Sequence, residues 1–137
     1  MSVKRWGLAT LAGFVVVSAT EFVIHHQWLG PFYMAHAEWW RPEAEMKGLM
    51  PFMCLAQLSL AALLALVYTK GYESKKGGVG QGVRFGLLLG LLLTVPANLL
   101  NYVIYPYPTS LLMSWVIGGL VEATLAGAAI GAVYREG

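Results

Sequence analysis

Charge is scarce in this sequence: only 12% of its 137 residues are Asp, Glu, Lys or Arg, about half the share in soluble proteins. Too few ionic side chains exist to clothe a soluble domain. Cysteine is rarer still. Cys54 is alone, which excludes an intramolecular disulfide framework, and its expected role is that of a small buried hydrophobe. Period-two alternation of the β-barrel kind is missing. So is any Ser-His-Asp or Cys-His arrangement, which leaves enzymatic activity without a candidate constellation. The Gly-rich segment "KGYESKKGGVGQG" lacks both a preceding strand and a G-K-[ST] ending, so it is no phosphate loop. The net charge of +2 is carried by basic residues set between apolar segments, not in a groove, and nucleic acid is not an expected partner.

What is abundant is apolar surface. Hydrophobic residues make up 58% of the chain and the mean hydropathy is +0.62. Four apolar stretches, approximately 6–25, 48–69, 83–105 and 111–134, each reach the roughly 20 residues needed to cross a hydrocarbon core of ~30 Å. A lipid-exposed backbone must satisfy its own hydrogen bonds, so each stretch is expected to be a helix. The fold class expected is therefore all-α: one polytopic membrane domain over 1–137, a four-transmembrane-helix bundle. "VSAT" at 17–20 loosely resembles a signal-peptidase site. The apolar run continues past it through Phe22, Val23 and Ile24, and an uncleaved anchor is expected.

Lys4, Arg5, Lys70, Lys75, Lys76, Arg84 and Arg135 fall at one end of the four stretches, while only Arg41 and Lys47 fall at the other. That asymmetry predicts both termini in the cytoplasm and an inner (plasma) membrane of the bacterial type. The segment 72–83 then reads as a flexible, solvated Gly/Lys-rich cytoplasmic linker. The first outer loop, 27–47, crowds Trp28, Phe32, Tyr33, Trp39 and Trp40 among His36, Glu38, Arg41 and Glu43. Aromatic residues mixed with charge at the membrane surface predict an interfacial segment, either a belt that fixes helix tilt or a lid over a cavity.

The chain also resembles itself. Setting "EFVIHHQWLG" over "NYVIYPYPTS" aligns Val23 and Ile24 with Val103 and Ile104 and places Glu21 over Asn101; "RWGL" answers "RFGL", and "LVYTKG" answers "AVYREG". Two parallel two-helix repeats are expected, about 5–71 and 84–137, related by an axis along the membrane normal. Gly82, Gly86 and Gly90 recur every fourth residue in the third stretch, and Gly119, Ala123, Gly127 and Gly131 in the fourth. Such stripes let helix backbones approach, within one chain or between copies in a homo-oligomer.

Polar residues inside the spans are few. At 1.5 Å per residue, Glu21 and Asn101 lie about 5 Å from the outer end, Asn98 about 9 Å, Gln57 about 12 Å, and Thr94 and Glu122 about 15 Å. Thr10, in the inner half, is expected to bond its own helix. An ionised carboxylate at mid-bilayer costs at least about 2.5–3.5 kcal/mol, so Glu122 must be neutral, paired or facing water. Helical spacing aligns Ala9, Gly13, Val17, Glu21 and His25 on one face, and Ser114, Gly118, Glu122 and Ala126 on another. Glu21, Gln57, Asn98, Asn101 and Glu122 are thus the candidate ligand-binding or polar cluster, either interhelical hydrogen bonds or a funnel open to the outside. Glu21, His25 and His26 are the candidate metal ligands, since carboxylate and imidazole sets suit iron or zinc, although such sites need three or four ligands.

The stretch "RFGLLLGLLLTVPANLLNYVIYPYP" followed by "SWVIGGLVEATLAGAAIGAVYRE" resembles small bacterial four-helix integral membrane proteins classified as a domain of unknown function. The resemblance implies a multi-pass membrane location and transfers no activity or site residue. Three functional expectations remain: a binding or accessory protein with an outward-facing polar cavity for a small or lipid-like ligand, a metal- or haem-dependent redox protein using Glu21, His25 and His26, or a structural subunit of a larger membrane complex.

Overall fold

The computed structural model describes residues 1–136, among which helices occur and strands do not. Helix α1 (Val3–Phe22) runs on through a wider turn, Val23–Trp28, in which the Leu29 N–H donates to the Ile24 carbonyl five residues back at 2.8 Å. Two short helices follow, α2 (Gly30–Ala35) and α3 (Glu43–Gly48), with a tight turn at Ala37–Trp39 between them. The remaining long helices are α4 (Met50–Lys70), α5 (Val79–Ile104) and α6 (Thr109–Val133). Pro31 and Pro51 stand in the first turns of α2 and α4, where a missing N–H costs no helical bond. The four spans are Val3–Trp28, Met50–Lys70, Val79–Ile104 and Thr109–Val133, all long and apolar enough to cross a membrane. The chain is a multi-pass helical membrane protein.

α1 packs on α4 and on α6, and α5 packs mainly on α6. The α1–α6 contact is made by glycines that receive branched side chains: a Cβ on Gly13 would stand 3.2 Å from Ile130 Cδ1, and one on Gly118 3.1 Å from Ile24 Cγ2. Between α5 and α6 the backbones themselves touch. A Cβ on Gly82 would lie 2.9 Å from the Gly127 carbonyl carbon, and one on Gly86 2.8 Å from Thr124 Cα. The small-residue stripes therefore face each other within one chain. Lipid supplies no hydrophobic drive between helices, so this close van der Waals approach is what holds the pair.

At the end that carries the chain termini, Tyr68, Tyr72, Tyr134 and Phe85 stack edge to face, with ring centroids 5.2–6.0 Å apart. Trp6 joins this cluster and donates its indole N–H to the Ala62 carbonyl at 3.1 Å. Seven of the nine basic residues belong to this end, which we call the basic end. The opposite end, bearing α2 and α3, is the capped end.

Three expectations are corrected. The connector between α4 and α5 is shorter than 72–83, because α5 begins at Val79, and it is not a free linker. Gln81, buried in the first turn of α5, accepts from the Glu73 backbone N–H at 3.3 Å and donates to the Gly71 carbonyl at 2.8 Å. Cys54 is exposed, not buried, because it lies on the side of α4 that carries the exposed Phe52, Leu55 and Leu58. Thr10 is buried, but its hydroxyl has no hydrogen-bond partner, on its own helix or elsewhere among the described residues.

Candidate functional site

The site follows from how the helices pack. α1 and α5 both lean on α6 without packing closely on each other, so a gap is left over α6 between them. Towards the basic end, Phe85 and Leu89 of α5 fill that gap and join the core around Ala126 and Ile130. Towards the capped end α5 offers Thr94 and Asn98, which are smaller, and a cavity of about 250 Å³ remains. Its walls are Glu21, Ile24 and His25 of α1, Thr94 and Asn98 of α5, and Trp115, Gly119 and Glu122 of α6.

Glu122 is only 8% exposed and forms the deep side of the cavity. Its Oε2 lies 2.9 Å from Thr20 Oγ1, which is also 2.8 Å from the Val16 carbonyl and has a single proton to share between them. No Lys, Arg or His forms a salt bridge with it among the described residues. Glu21 shares the cavity and stands close enough to interact with it electrostatically. Two acidic groups therefore face one small space, and the nearest basic group, the His25 imidazole, places its Nε2 3.5 Å from Glu21 Oε2.

A chain of hydrogen bonds ties this cavity to the aromatic cap. Trp115 Nε1 donates to the Tyr33 hydroxyl at 2.8 Å, and that hydroxyl lies 2.8 Å from His25 Nδ1. An indole can only donate, so the Tyr33 oxygen accepts from Trp115 and its own proton is available to His25. In the neutral ring this arrangement leaves the single N–H on Nε2, towards Glu21. Burial raises the pKa of the Tyr33 phenol above its ordinary value, and the bond from Trp115 opposes that shift only in part; Tyr33 keeps its proton at neutral pH. Around this chain pack Phe32, Trp40, Tyr107 and Leu111. Tyr107 meets Trp115 edge to face with centroids 5.0 Å apart, and Tyr33 meets Trp40 likewise at 5.3 Å. The crowded aromatic residues of the first loop are thus stacked on the end of α6 directly over the cavity.

Of the five residues expected to form the polar cluster, Glu21, Asn98 and Glu122 meet at the cavity and two do not. Gln57 is on α4, across α1 from the cavity, where its Oε1 accepts from Ser18 Oγ at 2.9 Å. Asn101 is half-buried one turn beyond Asn98 and is not part of the wall. Of the expected metal ligands, Glu21 and His25 share the cavity, but His26 is exposed and its ring lies against Phe22, with centroids 4.8 Å apart. The wider turn at the end of α1 holds both histidines, yet the two rings diverge. Among the described residues no group of three or more His, Cys, Asp or Glu side chains is arranged to hold a metal ion.

Sequence reasoning missed Trp115, Thr94 and Thr20 as neighbours of the site. Trp115 had a visible signal, because it lies seven residues before Glu122, two helical turns on the same face. Thr20 had none, since nothing in the chain indicates that its hydroxyl meets a residue more than one hundred positions away. The chain matches no family model, no curated protein and no solved structure with which it was compared.

Proposed function

We propose that this is a binding or accessory protein of a bacterial-type inner membrane that takes a small ligand into the cavity between α1, α5 and α6. The observation that carries the reading is Glu122: a carboxyl group 8% exposed, without a basic partner among the described residues, on the wall of an otherwise unfilled space. A carboxyl group at this depth in a bilayer costs several kcal/mol unless it is neutral, paired or hydrated, so the space beside it suits polar atoms. In this reading both termini are cytoplasmic, the basic end is inside, and the cavity opens beneath the aromatic cap on the outer surface. The two helix pairs, α1 with α4 and α5 with α6, are two parallel copies of one unit, a reading supported by the equal length of 26 residues of the first and third spans.

The metal or haem reading gains nothing from the geometry, because His26 turns away from Glu21 and His25. The apolar outer faces of α4 and α5 suit lipid and equally suit a further subunit.

Thiol accessibility tests the proposal. In a Cys54→Ala background, Thr94→Cys should react with a membrane-impermeant thiol reagent added outside intact cells, as should Glu43→Cys in the cap. A reactive Glu43→Cys beside an inert Thr94→Cys would refute the open cavity. Reaction of both only in inverted vesicles would refute the orientation.

A further inference from the structure

Most donors of the polar groups around the cavity are already committed within the protein. The Asn98 amide donates one of its two N–H groups to the Thr94 carbonyl at 2.8 Å, which leaves Oδ1 and a single N–H for a ligand. The Thr94 hydroxyl donates to the Gly90 carbonyl of its own helix, so only its lone pairs remain. Trp115 Nε1–H is bonded to Tyr33, and what the indole has left for the cavity is its ring. The His25 imidazole is engaged on both sides, by Tyr33 at Nδ1 and Glu21 at Nε2. With its one N–H on Nε2, facing Glu21, the neutral ring offers the cavity no second donor. The wall therefore presents two carboxyl groups, an amide oxygen with one free amide N–H, a hydroxyl oxygen and an aromatic ring.

A wall in which acceptors outnumber the one free amide N–H is complementary to a ligand rich in donors, and two facing carboxylates are complementary to positive charge. The volume narrows the class. A bare alkali or alkaline-earth ion needs six or more oxygen ligands at about 2.3–2.6 Å, and a space of about 250 Å³, several times the ~30 Å³ share of one water, is too wide for so few groups to converge on one. An alkylammonium ion fills such a space. Its N–H groups reach the carboxylates, and its carbon atoms rest against Ile24 and the Trp115 ring, whose π-face attracts cations.

We propose that the ligand of this cavity is a small organic ammonium ion held between Glu21 and Glu122. The inference rests on the cavity being a binding site, as set out above, and its test separates the two. Thr94→Cys in the Cys54→Ala background is placed in lipid nanodiscs and modified by N-ethylmaleimide, a neutral reagent. Thr94→Cys gives up one hydroxyl acceptor of the wall but leaves Glu21, Glu122 and the Asn98 amide oxygen in place. Asn98→Cys is a second position should the first fail to elute as a folded species.

With tert-butylammonium as the probe, modification should slow about tenfold at a concentration about ten times the dissociation constant, since protection follows 1 + [L]/Kd. The neutral isostere tert-butanol should not slow it. Adding Glu122→Gln should abolish the protection. If the two probes protect alike, or neither does, while the thiol remains reactive, the cationic class is wrong and the cavity stands. Protection that survives Glu122→Gln also overturns the proposal. If neither thiol reacts in folded protein, the cavity itself is closed and both readings fall.

Discussion

The backbone contact between α5 and α6 makes the sharpest prediction. Gly86 is buried where α5 meets α6, and a Cβ added there would stand 2.8 Å from Thr124 Cα and nearer still to the Ala123 carbonyl oxygen. Both obstacles are backbone, so no rotamer change relieves them. Carbon atoms in ordinary contact sit about 3.5–4.0 Å apart, so α5 and α6 would have to separate by roughly 1 Å along the seam that binds them. Overpacking of this kind costs about 1–3 kcal/mol. The seam runs on through Gly82, Gly127 and Gly131, all with backbone neighbours, so the loss is expected at the upper end. The control lies within the same molecule: Gly7, inside α1, has no atom within 4 Å of an added Cβ. Gly7→Ala gains helix propensity and should be neutral or stabilise by about 0.5–1 kcal/mol. Thermal unfolding in detergent, followed by loss of the monodisperse gel-filtration peak, reads both. A Gly86→Ala protein that melts no lower than Gly7→Ala would refute the backbone contact, and with it the packing that leaves the cavity open.

Three further outcomes are expected. Glu122→Ala removes the acceptor of the Thr20 hydroxyl and enlarges the space, and should destabilise the protein by about 1–3 kcal/mol, whereas Glu122→Gln should stay near wild type; equal melting of all three would show that the carboxyl has no structural partner. Trp115→Phe deletes the donor to Tyr33 but retains a ring, so amide exchange across α2 should speed up by a factor matching a bond of about 0.5–1.5 kcal/mol, while exchange in the Gly71–Gly78 turn stays unchanged. The Glu73 carboxylate accepts from Lys76 at 2.9 Å, and that neighbour holds the carboxyl below its ordinary value. The pair's small contribution is therefore present above the unfolded pKa and is lost as pH falls through the lower folded one. The Glu73 carboxyl resonance should titrate below the ordinary glutamate range and move up towards it in Lys76→Ala; an unchanged midpoint in the variant would dissociate the shift from the ion pair.

Much of the architecture could be read from residue order, because the membrane leaves so few alternatives. Span lengths, the all-helical class and the facing stripes of Gly82, Gly86, Gly127 and Gly131 are local properties, written at fixed spacing along each helix. Glu21, Asn98 and Glu122 were legible for a related reason: a polar group in an apolar run must turn inward. The two misplacements, Gln57 and Asn101, share a cause. Depth in the bilayer can be counted along the chain, but which neighbour a helix face meets depends on the arrangement of all four. Gln57 lies at a suitable depth on the wrong side of α1. Its partner there, Ser18, is only three residues before Glu21 on the same helix, yet faces the other way. His26 failed similarly, because the wider turn at the end of α1 could not be foreseen from composition.

The position of the cavity ties these levels together. At Gly82 and Gly86 the backbone of α5 lies directly against the backbone of α6, and at Gly90, the last glycine of α5, the nearest atoms are the Ala123 Cβ and the Leu120 side chain. Beyond it, Thr94 meets Gly119 through a methyl group instead of a backbone atom, and Pro96 removes one rung of the helix ladder. The seam therefore changes from backbone contact to side-chain contact at the depth where the wall of α5 changes from Phe85 and Leu89 to Thr94 and Asn98. α1 cannot close the difference, since its own approach to α6 is set by Gly13 against Ile130 below and by Ile24 against Gly118 above. A gap at this depth follows from where the small residues stop. Glu21 and Glu122 point into that gap, and the aromatic residues of α2 and the turn after it stack over its outer end.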